Sequence, residues 1–499
     1  MTRGAVAAPH RLASEAGADV LRAGGNAVDA AVAADAVLCV VYPHMTSVGG
    51  DLFAMVWPAG AAEPVGLAGA GRSGSLASAA RLRERGYDAM PADGVLTITV
   101  PGTADAWGRL VERFGSFGMR PLLEPAAALA RDGFPVSPGL AEALAENAER
   151  LAREPETRRL LPPSEAGTKL RNPELAATLS EMGQNGFNTF YRGELAASIL
   201  AAVERRGGLL TAPDLALHRA EWVRPLRLPF RDLTVYEMPP PTQGLAALGM
   251  LARLSDVAPG SLLPGLDFVR RLRRLRDAVY PLRDRHITDP DFCAAPLEPF
   301  LRPGAEGDGG GHPLPAGDTV CVVAADEHGN LVSIVQSIAG TFGSGVVAEG
   351  TGVLLQNRGC YFSLGEGHAN RLEPRKRTMH TLIPALASRG GRPTLAFGTM
   401  GADAQPQIHV QILLGLTDQG FDPQAAVGAP RVRVDPGGAT VLVEADYPQA
   451  ALIEASEPSA HLAPARSSSL GHAQVVEVAG KASWRGGSDP RAEGSVELA

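Results

Sequence analysis

The sequence has few cysteines and no paired ones. Cys39, Cys293, Cys321 and Cys360 are the four cysteines among 499 residues, and no CxxC pair occurs. This spacing excludes the usual sequence signatures of zinc sites and dithiol redox sites, and isolated cysteines are typical of buried apolar positions. The histidines also lack an HExxH or similar ligand spacing, so we expect neither a metal nor a cofactor.

Long apolar segments and basic stripes are missing as well. The longest apolar run, residues 27–42, contains Asp29 and Asp35 and is shorter than the roughly 20 residues that a membrane helix needs. The first ten residues lack the apolar core of a secretory signal, so we expect a cytoplasmic protein. The net charge of −8 disfavours a nucleic-acid partner. The arginines of residues 270–276 alternate with apolar residues at helical spacing, which predicts a solvated helix face.

The chain is long enough and apolar enough to bury a large core. With 499 residues, of which 45% are hydrophobic, it is either two domains or one large enzyme unit. Apolar spacing predicts a helix around residues 12–21 and a second, buried helix that begins after Asn26. The same reasoning predicts strands at 52–57, 96–100 and 233–237, helices at 103–114, 140–151 and 196–206, and a surface loop at 455–469.

Thr319 is the residue with the most informative position. The preceding stretch, residues 303–318, is rich in proline and glycine, which predicts a flexible and exposed connection. Thr319 then begins an apolar run that a turn at 326–330 joins to a second run at 331–337. Such a threonine is where a chain can cleave itself and expose a new N-terminal nucleophile. Threonine is also simply a good strand residue, and position alone leaves both interpretations open.

Several motifs resemble those of the gamma-glutamyltransferase family. They are Thr319, the turn at 326–330, the segment Phe342-Gly343-Ser344-Gly345, the N-terminal segment 18–31, and shorter matches at 49–51, 100–102, 289–290 and 429–431. Together they extend over most of the chain. The resemblance implies an N-terminal-nucleophile hydrolase of the α+β class, with a four-layer αββα sandwich of two stacked, mainly antiparallel sheets.

The resemblance further implies a precursor that matures by self-cleavage. In that scheme the Thr319 hydroxyl attacks the carbonyl of Asp318. The products are a large chain, 1–318, and a small chain, 319–499, which together form one structural unit. The new α-amine has a reference pKa of about 7.7–8.0, so it can serve as the base for its own hydroxyl. Each chain is then the partner of the other, and whether the processed pair dimerises is left open.

Three further residues correspond to parts of the family's catalytic apparatus. The threonine that the family has beside its nucleophile corresponds to Ser337. The family's Gly-Gly pair, whose backbone N–H groups stabilise the oxyanion, corresponds to Gly401 and Ala402. Because the contact is to backbone N–H groups, alanine can replace glycine if its φ and ψ angles permit.

The residues that correspond to the family's substrate site are partly substituted. Arg72 stands where the family binds the α-carboxylate of a glutamyl group, a role that suits a guanidinium. The acceptors for the α-ammonium correspond to Ala339, Arg358 and Tyr361, so the ammonium site is lost. A cation a few ångströms from Arg358 would be repelled by about 4 kcal/mol at an effective dielectric constant of 20.

The remaining substitutions keep hydrogen-bonding capacity, because His380 and Thr381 replace a pair of serines. We therefore expect a small-molecule amide whose acyl group carries a carboxylate but no α-amine. Oxamate amidohydrolases and glutaryl-type cephalosporin acylases resemble diverged members of this superfamily. The loop 69–75 and the motif 356–359 are more similar to the amidohydrolase branch.

Three alternatives remain. One is a true gamma-glutamyltransferase or glutathione hydrolase. Another is an unprocessed, noncatalytic binding or scaffold protein, although retention of Thr319 and Arg72 disfavours it. A third is a dinucleotide site, because Gly69-x-Gly71-x-x-Gly74 matches that fingerprint; the next apolar run, 95–100, lacks the acidic residue that would bind a ribose hydroxyl.

Overall fold

A computed structural model of the chain describes residues 2–303, 317–438, 440–480 and 482–499. The predicted flexible connection before Thr319 therefore lies mostly outside the described residues. The strands are β1 Gly4–Ala8, β2 Asp51–Trp57, β3 Val65–Gly69, β4 Phe134–Pro135, β5 Lys169–Leu170, β6 Glu221–Val223, β7 Leu226–Phe230, β8 Leu233–Glu237, β9 Asp318–Asp326, β10 Leu331–Ala339, β11 Val347–Ala348, β12 Val353–Leu354, β13 Ala385–Arg389, β14 Arg392–Met400, β15 Val432–Val434, β16 Val441–Glu444, β17 Ala460–Ala463, β18 His472–Gly480, β19 Ser483–Ser488 and β20 Ser495–Leu498.

The helices complete the secondary structure. They are α1 Arg11–Arg22, α2 Ala27–Val41, α3 Ala79–Glu84, α4 Thr103–Phe114, α5 Met119–Asp132, α6 Pro138–Glu146, α7 Ala148–Leu151, α8 Pro155–Leu160, α9 Pro173–Asn185, α10 Glu194–Arg205, α11 Ala212–Leu217, α12 Gly244–Ala252, α13 Leu266–His286, α14 Glu298–Leu301, α15 Gln405–Thr417, α16 Pro423–Gly428 and α17 Ala450–Ser456. Within the described ranges, none of these helices is long and apolar enough to span a membrane.

Two antiparallel sheets form the centre of the molecule. One has seven strands in the order β20-β1-β9-β10-β2-β3-β6, and the other has six in the order β19-β18-β14-β13-β8-β7. One apolar core lies between the sheets. A second packs α1, α2, α4 and α5 on the outer face of the seven-stranded sheet, and a third packs α12, α13 and α15 on the six-stranded sheet. The predicted four-layer αββα sandwich is confirmed.

The alternation of side chains along β9 determines which layer each residue faces. Val320 and Val322 belong to the core beneath the helices, whereas Cys321 and Val323 belong to the core between the two sheets. Successive residues of a strand point to opposite faces. Thr319 therefore has the parity of the residues between the sheets, and its side chain is buried there.

The turn between β9 and β10 is tied to the start of α2. One oxygen of Asp326 accepts hydrogen bonds from the backbone N–H groups of His328, at 2.9 Å, and Asn330, at 3.0 Å. The other accepts from the N–H group of Ala27, at 2.8 Å, one of the donors that a helix start leaves without an intrahelical partner. Asn26 caps the same helix, as predicted. The β9–β10 hairpin is thus fixed at its turn, which is the end opposite Thr319.

Several local predictions were wrong. Residues 96–100 form a short 3₁₀ turn and an extended segment, because the buried Ile98 and Val100 pack against neighbouring elements without joining a sheet. The helix predicted at 140–151 is divided at Asn147. The loop predicted at 455–469 contains β17.

Burial also differs from expectation at two residues. Arg276 is fully buried rather than solvated, since its guanidinium donates to the Asp435 carbonyl and pairs with Asp277. Cys293 is exposed, whereas the other three cysteines are buried, as expected.

The dinucleotide fingerprint at residues 69–74 lacks the structural setting that such a site needs, because β3 lies in an antiparallel sheet and the next helix begins only at Ala79.

Candidate active site

The Asp318–Thr319 peptide bond lies at the start of β9, opposite the end of β10. Asp318 pairs with Ala339 across the two strands, and a register shift separates this pair from the rest of the ladder. Thr319 has only 1% of its surface exposed. The Ser337 hydroxyl donates a hydrogen bond of 2.5 Å to the Asp318 carbonyl oxygen, and Thr341 donates through its hydroxyl to the Asp318 carboxylate. One carboxylate oxygen of Asp318 and the peptide carbonyl are therefore held by β10 and the loop after it.

The hydrogen bonds around Ser337 fix the direction of its hydroxyl proton. Its oxygen accepts from the Ala339 backbone N–H group at 2.8 Å and from Arg358 Nη2 at 2.9 Å. A serine hydroxyl has one proton and two lone pairs. Because both lone pairs face donors, the proton is directed at the Asp318 carbonyl oxygen. This arrangement polarises that carbonyl toward nucleophilic attack.

Strained backbone surrounds the same bond. Ala339 has a φ of +77°, and Ala402 has a φ of +45°, a region that costs an L-residue about 1–2 kcal/mol. Phe342 is also left-handed, with a φ of +55°. Such conformations persist only where the surroundings enforce them, and they concentrate at functional sites.

The turn of Gly401 and Ala402 lies beside the chain that leads to Thr319. A Cβ atom added at Gly317 would lie 3.5 Å from the Cβ of Ala402 and 2.7 Å from the hydroxyl oxygen of Tyr361. Gln243 holds this turn, because its Nε2 donates to the Ala402 carbonyl at 2.8 Å. The structure therefore brings the predicted oxyanion turn to the Asp318–Thr319 bond.

The residues that support this turn were not predicted from the sequence. Arg283 forms an ion pair with Asp403 and donates to Gln243 Oε1 at 3.3 Å, and Tyr280 donates to the Asp403 carbonyl. The signal that could have identified Gln243 is its place in Pro239-Pro240-Pro241-Thr242-Gln243-Gly244, a rigid turn between a strand and a helix.

Arg358 is a buried cation without an acidic partner among the described residues. Only 1% of its surface is exposed. In the part of the chain that the structure describes, its guanidinium donates to Ser337 and, at 3.4 Å, to the Thr381 hydroxyl, and Nε has no hydrogen-bond partner there. The Cζ atom lies 4.9 Å from the ring centroid of Tyr361. Burying an ion without a counter-ion costs several kcal/mol, so this site favours an anion.

His380 lies next to Thr381 and is held by Asp51. Its Nε2 is 3.0 Å from Asp51 Oδ2. Burial, together with the nearby Arg358 cation, lowers the pKa of His380 to about 4, so the imidazole is neutral at pH 7. Asp51 also accepts from the Gly71 N–H group and from Gln356, each at 3.0 Å. Neutral His380 thus shapes the site without adding charge.

Arg72 is separated from this cluster by its own partners. Its guanidinium donates to Asp289 at 2.9 Å, to Asp291 at 2.6 Å and to Glu221 at 3.3 Å. It lines a cavity of about 100 Å³ whose described lining includes neither Thr319 nor Arg358.

Of the residues predicted for the site, Arg72 is the one that lies apart. The structure groups the others around the Asp318–Thr319 bond, and His380 lies in the layer that surrounds them. These residues are Asp318, Thr319, Ser337, Arg358, Tyr361, His380, Thr381, Gly401 and Ala402.

Comparisons with known proteins give consistent matches along almost the whole chain. The family model described as Gamma-glutamyltranspeptidase matches residues 13–499. A glutathione hydrolase-like YwrD proenzyme from Bacillus subtilis (strain 168) is 37% identical over 99% of this chain and 98% of its own length. An oxamate amidohydrolase proenzyme from Klebsiella pneumoniae subsp. pneumoniae is 35% identical over 86% of this chain and 85% of its own. A solved cephalosporin acylase from Bacillus halodurans superposes with a TM-score of 0.92 at 33% identity, covering 99% of this chain and 96% of the other.

Proposed function

The chain belongs to the gamma-glutamyltranspeptidase family, and we propose on this basis that it is a self-processing amidohydrolase whose nucleophile is Thr319. The observation that carries the proposal is the hydrogen bond of 2.5 Å from Ser337 to the Asp318 carbonyl, immediately before a buried threonine. The proenzyme names of two relatives support it. Cleavage would give chains 1–318 and 319–499.

Self-cleavage proceeds in two balanced steps. The Thr319 hydroxyl oxygen attacks the Asp318 carbonyl carbon, and Ser337 stabilises the developing oxyanion. The C–N bond then breaks, the hydroxyl proton passes to the departing Thr319 nitrogen, and an ester joins Asp318 to the threonine oxygen. Water hydrolyses that ester, which leaves a carboxylate on Asp318 and regenerates the Thr319 hydroxyl beside a new α-amine.

The mature enzyme would repeat this chemistry on a substrate amide. The Thr319 amine takes the proton of its own hydroxyl, the oxygen attacks the amide carbonyl, and the proton leaves with the departing amine. Backbone N–H groups of the Gly401–Ala402 turn are the proposed donors to the oxyanion. Water then hydrolyses the acyl-enzyme ester and releases the acid.

The proposed substrate is an amide whose acyl group carries a carboxylate and no α-ammonium. The buried Arg358 guanidinium supports this class, because its described partners are hydroxyl groups and an aromatic ring. A γ-glutamyl α-ammonium placed there would face repulsion of about 4 kcal/mol. One relative is named for oxamate, which is an amide of this class.

A substrate comparison tests the proposal. Initial rates on γ-glutamyl-p-nitroanilide, glutaryl-p-nitroanilide and oxamate are measured for the wild type and for Thr319→Ala. We expect turnover of at least one amide that lacks the α-amine, slower γ-glutamyl turnover by about 100-fold or more, and no turnover by Thr319→Ala. Efficient γ-glutamyl turnover would identify a glutathione hydrolase instead. A chain that stays intact and inactive would indicate a binding or scaffold protein.

A further inference from the structure

We propose that Arg358, and not Arg72, binds the substrate carboxylate, and that the acyl group is for this reason short. The inference rests on the proposed function, because it requires Thr319 to react with an amide. It departs from the expectation that Arg72 is the carboxylate-binding residue. It also separates the two substrate types, oxamate-like and glutaryl-like, that the sequence left open.

The charge of Arg358 is unmatched among the described residues. Its described partners are two hydroxyl groups and one aromatic ring, and its Nε is buried without a partner. A guanidinium has five N–H donors in a planar fork, which matches a carboxylate in two parallel hydrogen bonds. An incoming carboxylate would therefore satisfy both the orphaned donor and the buried charge.

Arg72, in contrast, already has carboxylate partners. It pairs with Asp289, Asp291 and Glu221. Arg377 binds the same three acids, so two cations face three anions in this cluster. A substrate carboxylate would have to displace one of those acids from its two arginine partners. The cluster thus opposes the ligand that Arg358 favours.

The distance from Arg358 to the reacting carbonyl limits the length of the acyl group. The Asp318 carbonyl marks the position where the substrate carbonyl would react. Two hydrogen bonds in series, of 2.9 Å and 2.5 Å, join Arg358 Nη2 through Ser337 to this carbonyl oxygen, and they bound the span between the guanidinium and the reacting carbonyl. A charge-assisted bond to a carboxylate occupies about 2.8 Å of such a span. In oxamate the carboxylate carbon lies about 1.5 Å from the amide carbon, and each methylene adds about 1.3 Å in an extended chain. Oxamate and malonamate fit this span better than a glutaryl group.

Arg358 has a second role in the uncleaved chain, where it holds Ser337 toward the Asp318 carbonyl. This role needs an N–H donor but no charge. Glutamine removes the charge and ends two bonds short of Nη2, but the Ala339 N–H group still donates to the Ser337 oxygen, so Arg358→Gln is expected to retain self-cleavage at a lower rate. The substitution therefore separates recognition of the carboxylate from processing.

The test compares Arg358→Gln with Arg72→Gln, both as full chains that are confirmed to have split on a denaturing gel. Ammonia release is measured for oxamate and for its neutral analogue ethyl oxamate. We expect Arg358→Gln to lower kcat/KM for oxamate about 100-fold more than kcat/KM for ethyl oxamate, because only the acid loses a hydrogen bond between charged groups. Arg72→Gln is expected to keep the preference for oxamate over its ester.

The wild type supplies a second measurement, which holds even if the Arg358 variant fails to split. Ammonia release from oxamate, malonamate, succinamate and glutaramate should be fastest with one of the two shortest. A maximum rate with glutaramate would overturn the inference. A preference for oxamate over ethyl oxamate that survives Arg358→Gln and disappears in Arg72→Gln would also overturn it. Failure of the proposed function looks different, since the wild type would then remain intact or its turnover would survive Thr319→Ala.

Discussion

Asp318 is partly buried in the uncleaved chain, where its carboxyl group accepts a hydrogen bond from Thr341. Burial raises the pKa of this carboxyl group to about 6, although the Thr341 bond and the positive charge of Arg150 act in the opposite direction. The pKa in the unfolded chain is about 3.9. Since the folded pKa is the higher one, the associated stability is fully present below pH 4 and is lost as the pH rises through 6.

This linkage predicts a pH effect that can be isolated in a chain that does not cleave. The Thr319→Ala protein should lose on the order of 2 kcal/mol of its free energy of unfolding between pH 4 and pH 7 because of Asp318. The double variant Thr319→Ala, Asp318→Asn should not show this loss. Urea denaturation of the single and double variants at both pH values measures the difference. Parallel pH profiles for the two proteins would show that the pKa of the Asp318 carboxyl group is not raised in the folded chain.

The two arginines show what sequence reasoning could and could not establish about single residues. The resemblance assigned a carboxylate to Arg72 and placed Arg358 in the same substrate site. It could not reveal that Asp289 and Glu221, far away in the sequence, neutralise the first. Nor could it reveal that the described surroundings of Arg358 lack such an acid. Ion pairs of this kind depend on tertiary contacts between distant segments, which the residue types alone do not specify.

At the scale of elements, the turn of Gly401 and Ala402 combines an unusual backbone with close packing. Gly401 has a φ of +151°, and a Cβ added there would lie 2.7 Å from Ile408 Cδ1. Gly401→Ala should therefore destabilise the protein by about 1–3 kcal/mol and slow acyl transfer. Ala402→Gly is the matched control, because glycine tolerates the φ of +45° and should be neutral or stabilising by up to about 1 kcal/mol.

Thermal denaturation and initial rates measure both effects. A Gly401→Ala protein with wild-type stability and activity would refute the assignment of this turn. If Ala402→Gly instead lost stability by more than 1 kcal/mol, the left-handed conformation of Ala402 would be in doubt.

Secondary structure could be predicted where a periodic apolar pattern meets a clear start or stop. The helix predicted at 103–114 and the helix that begins after Asn26 are both observed, and Asn26 caps the second of them. The strand predicted at 96–100 was wrong, since apolar residues there are buried without a neighbouring strand. Periodicity reports burial, and only tertiary contacts decide whether a buried extended segment joins a sheet.

At the scale of the whole molecule, the segments before and after the Asp318–Thr319 bond are interleaved. In the seven-stranded sheet, β9 and β10 lie between β1 and β2, and β20 pairs with β1. The six-stranded sheet likewise contains β7 and β8 beside β13. Cleavage of one peptide bond would leave these ladders intact. The two chains should therefore stay together in native buffer and separate only in denaturant.

The central claim is that the chain cleaves itself at a single bond through Thr319. Its most direct test is the intact mass of the purified protein under denaturing conditions, followed over time. We predict that the wild type converts to two species with the masses of 1–318 and 319–499, together heavier than the precursor by one water. Thr319→Ala should remain a single species, and Ser337→Ala should convert about 100-fold more slowly. A wild type that persists as one full-length species, or a Thr319→Ala protein that splits at the same bond, would contradict the account.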